Sequence, residues 1–235
     1  MKIKFDYSPN FTSKKRNSKD IKFVIIHYTG MQSEIESINR LKNPKFKVSC
    51  HYLINRKGKI IQMVKDKNIA WHAGKSRWKK FFNLNKNSIG IELVNKGHKY
   101  GYQNYQKKQI KSLIKLCKFL KKKYSIKKEN FLGHSDISPH RKIDPGEKFP
   151  WKEFSTHSLG KWYVEDLYYM RDSFKKKDII FFKNLKKLGY RYFRVFKRNT
   201  SDKWVIRSFQ QHYLPDNVTG KIDKKTFKIS HFLTH

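Results

Sequence analysis

Short apolar runs of two different periods divide the first part of this chain. Lys22–Tyr28 (Lys-Phe-Val-Ile-Ile-His-Tyr) is brief, β-branched and aromatic, which predicts a buried strand. His51–Val64 reads as a hairpin, with two apolar runs either side of a turn at Arg56-Lys57-Gly58. Ser88–Val94 is a further strand. Ser33–Leu41 predicts a short helix with Ser33 as N-cap and Glu36 completing a capping box. Over Asn104–Tyr124 the period becomes helical: Ile110, Leu113, Ile114, Cys117, Leu120 and Tyr124 share one face. Asn130–Gly133 leads into a loop carrying His134. Alternating strands and helices predict an α/β domain with a helix-covered sheet over residues 1–152.

Beyond Trp151 the pattern changes. Residues 153–172 hold polar and aromatic residues without clear period and read as a connector, in which Trp162, Tyr163, Tyr168 and Tyr169 stand out. Residues 173–235 show three helical stretches and no strand run: Asp178–Leu188 ending at Gly189, Asp202–Tyr213 ending before Pro215, and one following Asp223. Such a three-helix unit is marginal as an independent core.

Hydrophobic residues make up 37% of the 235, with 18 Phe, 13 Tyr and 5 Trp, enough for a packed core in spite of the charge. The start, Met-Lys-Ile-Lys-Phe-Asp-Tyr-Ser, has no apolar stretch of the kind a signal peptide needs, and no run is long enough to span a membrane. Two cysteines, Cys50 and Cys117, exclude a disulfide framework or a four-thiolate zinc site. The net charge of +37 first suggests nucleic acid. The lysines, however, are spread along the whole chain, and an A+T-rich genome gives the same Lys, Ile, Asn, Phe and Tyr profile. Any remaining charge preference is for an anionic polymer, cell wall included.

Two of the ten histidines stand out by context. His27 ends an apolar strand, and His134 follows a glycine; Asp144 lies ten residues further on. Two imidazoles and a carboxylate suit a catalytic Zn²⁺ with its fourth position open to water, although spacing alone is weak support. Glu92 lies within Ile89-Gly90-Ile91-Glu92-Leu93-Val94, where a carboxylate among apolar neighbours is costly unless it has a task, such as general base. The alternative is a solvent-facing position on a half-exposed strand. Lys142 shares a side with Asp144 if that segment is extended, and would then serve a developing oxyanion. The alternative is one more solvated lysine.

Phe23-Val-Ile-Ile-His27-Tyr-Thr-Gly30-Met31, Val48–Ile54, Ala70-Trp-His-Ala-Gly74-Lys-Ser76, Ser88–Leu93, Gly133-His-Ser-Asp-Ile137, Arg141-Lys-Ile-Asp-Pro-Gly146 and Phe149-Pro-Trp151 occur in this order. Together they resemble the zinc-dependent N-acetylmuramoyl-L-alanine amidases of the second amidase family, of AmiD and AmpD type, over roughly residues 20–152. These are related in fold to peptidoglycan recognition proteins and phage lysozyme-like amidases. The resemblance implies a central mixed β-sheet flanked by helices, one Zn²⁺ held by His27, His134 and Asp144, Glu92 as catalytic base, and Lys142 as oxyanion stabiliser. Asp144 stands where the phage branch has a cysteine, and Cys50 where the family usually has a small residue such as alanine. Tyr28, Trp71 and His72 fall in segments that imply substrate binding; an exposed Trp71 suits stacking on a sugar, the alternative being a core tryptophan under a loop. His51 reads as a strand residue near the site and not as a fourth ligand.

Phe182–Tyr190, Val205–Gln210 and Gly220–Asp223 resemble a three-helix peptidoglycan-binding domain. The implied activity is hydrolysis of the amide between N-acetylmuramic acid and L-alanine, in wall turnover or recycling. The implied partner is peptidoglycan or a muropeptide, with no specific nucleic acid, and the expected state is a monomer. Two classes compete: a non-catalytic peptidoglycan receptor, against which the intact set of five site residues argues, and a basic nucleic-acid-binding protein, supported only by charge. Compartment stays open: cytoplasm by default, cell envelope by resemblance. Since every catalytic group precedes residue 145, the first domain is expected to suffice for the chemistry.

Overall fold

A computed structural model describes residues 2–164 and 176–235. Tyr168 and Tyr169 of the connector lie outside the described residues. The strands are β1 (Ile3–Phe5), β2 (Phe11–Thr12), β3 (Phe23–Tyr28), β4 (Tyr52–Ile54), β5 (Ile60–Gln62), β6 (Ile69–Ala70), β7 (Arg77–Trp78), β8 (Phe81–Phe82), β9 (Ser88–Leu93) and β10 (Phe131–Gly133). The α-helices are α1 (Glu34–Lys42), α2 (Lys107–Tyr124), α3 (His134–Ile137), α4 (Trp151–Thr156), α5 (Lys177–Leu188), α6 (Asp202–Tyr213) and α7 (Lys224–Phe232). A six-stranded sheet runs β1-β5-β4-β9-β3-β10; only the β4–β5 hairpin is antiparallel, so the sheet is mixed. Among the described residues no helix is long and apolar enough to cross a membrane.

Strand β3 shows why the sheet forms here. Successive side chains alternate between faces, and both faces are covered, so the run is continuously apolar rather than alternating. Val24 and Ile26 join α2 through Ile110, Leu113, Ile114, Cys117 and Leu120. Phe23 and Ile25, on the opposite face, join α5, α6 and α7 through Phe181, Phe182, Leu185, Val205, Phe209 and Phe227. The three C-terminal helices form as the sequence predicts, but their apolar faces close over the sheet. Their core is continuous with that of the α/β region, which is how so small a unit finds enough apolar area to bury.

Several local expectations shift. The Ser33 hydroxyl caps α1 by accepting from the Glu36 amide (3.1 Å), while the Glu36 carboxylate reaches the Gln32 amide rather than Ser33. His134 does not sit in a loop: it opens α3 directly after β10. The beginning of the connector is a helix, α4, and Trp151, Phe154 and Leu159 complete the core under α2.

Candidate metal and catalytic site

The site lies at the carboxyl ends of β3, β9 and β10, three parallel neighbours. Parallel register sets His27 of β3 directly beside Glu92 of β9, and pairs Gly133 of β10 with Ile26, so His134 emerges next to His27. His27 Nδ1 and His134 Nδ1 are 2.9 Å apart, and each lies 3.0 Å from Asp144 Oδ2. All three residues are buried, and among the described residues they form the single cluster of His, Cys, Asp and Glu able to hold a metal ion.

Hydrogen bonding assigns the imidazole tautomers. The Ser88 hydroxyl donates to the Leu84 carbonyl (2.6 Å), so toward His72 Nε2 (3.2 Å) it can only accept. His72 therefore carries its proton on Nε2 and accepts at Nδ1 from His27 Nε2–H (3.1 Å), leaving a lone pair on His27 Nδ1. His134 Nε2–H donates to the Ala73 carbonyl (3.1 Å), leaving a lone pair on its Nδ1. Three lone-pair atoms thus converge with no hydrogen between them, an arrangement that could hold a metal ion. Nitrogen and carboxylate donors in this set fit Zn²⁺, and outer hydrogen bonds of this kind orient such ligands.

Burial sets the charges. It depresses His27 to a pKa of about 4, helped by the neighbouring His134 and opposed by Asp144, so the imidazole is neutral near pH 7. Burial pushes Asp144 upward, but His134 and His27 outweigh it and hold the carboxyl well below its ordinary range. Glu92 is not solvent-facing: it is 8% exposed, and its Oε2 has no hydrogen-bond partner. Burial, with Asp144 adding and Lys142 opposing, pushes Glu92 up to about 8.

These groups line a cavity of about 640 Å³ together with Tyr28, His72 and Lys142. His27, His134, Asp144, Glu92, Lys142 and Tyr28 are therefore all brought together. His72 is present but buried, held between His27 and Ser88. Trp71 does not line the cavity; its indole Nε1 donates to Thr12 (3.0 Å). His51 is buried away from the triad, with Nδ1 accepting from the Gly90 amide (3.0 Å). Sequence reasoning missed Arg40, Lys99 and Arg141, cations on the cavity wall. Arg141 adjoins Lys142 within a motif already singled out, whereas nothing local marks Arg40 on α1 or Lys99.

The N-acetylmuramoyl-L-alanine amidase family profile matches residues 17–147. The chain is 34% identical over 230 residues to the N-acetylmuramoyl-L-alanine amidase AmiD of Escherichia coli K12, covering 91% of this chain and 82% of the relative. It is 36% identical over 165 residues to the 1,6-anhydro-N-acetylmuramyl-L-alanine amidase AmpD of Haemophilus influenzae, covering 63% of this chain and 87% of that protein. The structure of E. coli AmiD in complex with its substrate, anhydro-N-acetylmuramic acid-L-Ala-D-γ-Glu-L-Lys, superposes with a TM-score of 0.81 at 31% identity, covering 94% of this chain and 90% of AmiD. The Pseudomonas aeruginosa AmpDh3 structure gives the same score and identity over 97% and 96%. With a profile spanning more than half of its length and relatives this similar over nearly all of it, the chain belongs to the N-acetylmuramoyl-L-alanine amidase family, hydrolases that act on an amide bond.

Proposed function

We propose that this protein is a zinc-dependent hydrolase of the amide between the lactyl group of N-acetylmuramic acid and L-alanine, acting in wall turnover or recycling. The observation that carries the reading is the convergence of the His27, His134 and Asp144 lone pairs beside Glu92, whose Oε2 has no hydrogen-bond partner, in one cavity. His27, His134 and Asp144 would hold one Zn²⁺, which supplies Lewis acidity and brings the pKa of a bound water to about 7. Glu92 takes the proton of the attacking water and delivers it to the leaving amine. The Lys142 ammonium stands beside the carbonyl oxygen as negative charge develops there. Arg40, Lys99 and Arg141 on the same wall suit the carboxylates of a stem peptide, and Tyr28 lines the sugar and peptide path. For α5–α7 we propose a peptidoglycan-docking role, supported by the near full-length match to AmiD.

Digestion of purified sacculi and of 1,6-anhydro-muropeptides, with and without chelator, tests this. Mass spectrometry should find free stem peptide and sugar lacking it, and the chelator should stop their release. Products cut at any other bond, or release that persists without metal, would overturn the reading.

A further inference from the structure

Every proposed catalytic group precedes residue 145, yet the helix that begins with His134 is held from the far end of the chain. Helix α3 is a single buried turn, His134–Ile137, too short to be stable through its own hydrogen bonds. Its anchor is Asp136, which is 1% exposed. Asp136 Oδ2 accepts from the Gly133 amide (2.7 Å) and from His212 Nδ1 on α6 (2.8 Å). Its Oδ1 accepts from the hydroxyl of Tyr190, just past α5 (2.6 Å).

Both partners are themselves pinned. His212 stacks on Trp151 with centroids 3.8 Å apart and planes 13° from parallel. Tyr190 packs edge-on against Trp78 at 4.8 Å. Gly189 carries Tyr190 into place: its φ is +139°, and any Cβ there would overlap the Trp78 indole. The residue before His212 connects through a chain of contacts to Tyr28, which lines the cavity. Gln211 donates to Glu147 (3.4 Å), Glu147 meets His98 Nε2 (3.1 Å), and His98 Nδ1 meets the Tyr28 hydroxyl (2.9 Å).

We propose that the C-terminal helical unit braces the metal centre, with His212 and Tyr190 as positioning residues that hold α3, and through it His134, in the ligand orientation. This rests on the zinc-amidase reading. The helices would then belong to the scaffold of the chemistry as well as to wall docking.

The test uses the full chain carrying Tyr190→Phe, His212→Ala, both together, and His212→Asn, which keeps a donor near the Nδ1 position. Zinc dissociation constants come from competition with a chromophoric chelator, kcat and KM from a soluble muropeptide, and folding from circular dichroism. The folded double variant should bind zinc about 10–100-fold more weakly, the range seen when outer hydrogen bonds to metal ligands are lost. Its kcat should fall, its KM change little, and its sacculus pull-down persist. His212→Asn should recover most of the zinc affinity. If the double variant does not fold, Tyr190→Phe, which removes one oxygen only, carries the same test. Unchanged zinc affinity and kcat in folded variants, with the parent chain binding one zinc, overturn the brace and leave the amidase reading intact. A parent chain that neither binds zinc nor turns over overturns both.

Discussion

His72 holds His27 by its outer nitrogen: His72 Nδ1 lies 3.1 Å from His27 Nε2, with the two rings close to perpendicular at 81°. The contact exists because residue 90 of β9 is a glycine. A Cβ there would overlap the His72 ring, so only a bare backbone lets the imidazole lie on the strand between Ser88 and His27. His72, which also lines the cavity, thus fixes the tautomer of His27 and leaves the His27 Nδ1 lone pair facing His134 and Asp144. Substituting His72→Ala or Gly90→Ala should weaken zinc binding by about 10–100-fold while muropeptide KM changes less than kcat. Chelator competition on the purified variants checks this; parental zinc affinity in both would remove the orienting role.

The metal itself should be present at close to one zinc per chain, measured by elemental analysis of purified protein. Chelation should abolish turnover, and zinc should restore it. His134→Ala should lose both metal and activity, since it removes one of the three residues proposed to hold the ion.

Glu92 and Lys142 separate chemistry from metal binding, because both line the cavity without belonging to the ligand cluster. Glu92→Ala and Lys142→Ala should each retain zinc yet slow turnover by about 10²–10³-fold, the usual cost of losing a base or an oxyanion donor. Parental rates in either variant would remove that residue from the mechanism.

Glu92 also predicts how stability of the metal-free protein depends on pH. Its pKa is raised from the unfolded 4.5 to about 8. A raised pKa means the folded state binds the proton more tightly, so the stabilisation is complete below pH 4.5 and is lost as pH rises through 8. Glu92→Gln, which keeps the shape without the ionisation, should therefore be more stable than the parent at pH 9, by on the order of a few kcal/mol. The advantage should shrink toward pH 4. Urea unfolding at the two pH values measures it, and equal differences at both would show that Glu92 does not titrate with folding.

Removing the C-terminal helices should destabilise the rest of the chain, beyond any loss of the proposed wall docking. Phe23, Ile25, Leu132 and Ile137 share a core with Phe181, Leu185 and Phe209. A chain ending near Trp151 would expose that face and also lose Phe154 and Leu159 from under α2. Thermal melts should show a clear drop in Tm and increased aggregation, contrary to the expectation that the first domain suffices. A truncated chain as stable as the parent would show that the two faces of the sheet are energetically separable.

Much of this protein is settled by local sequence. The apolar run Phe23–Ile26, the helical spacing from Ile110 to Leu120, and the stops at Gly189 and before Pro215 each depend on side chains within a few positions of one another, and the elements form there. The set His27, Glu92, His134, Lys142 and Asp144 was legible through the resemblance of the motifs that carry it, since spacing alone is weak support, and the fold brings all five to one cavity. What tertiary structure alone decided are pairings across long stretches of chain. His72 meets His27 across 45 residues, while the neighbouring Trp71 turns away to Thr12, 59 residues distant. Asp136 meets Tyr190 and His212 across 54 and 76 residues. No short-range period encodes these contacts, because each depends on which face of the sheet a distant helix or loop packs against. That same packing made the C-terminal helices part of one core with the α/β region, where the sequence shows only a change of period after Trp151.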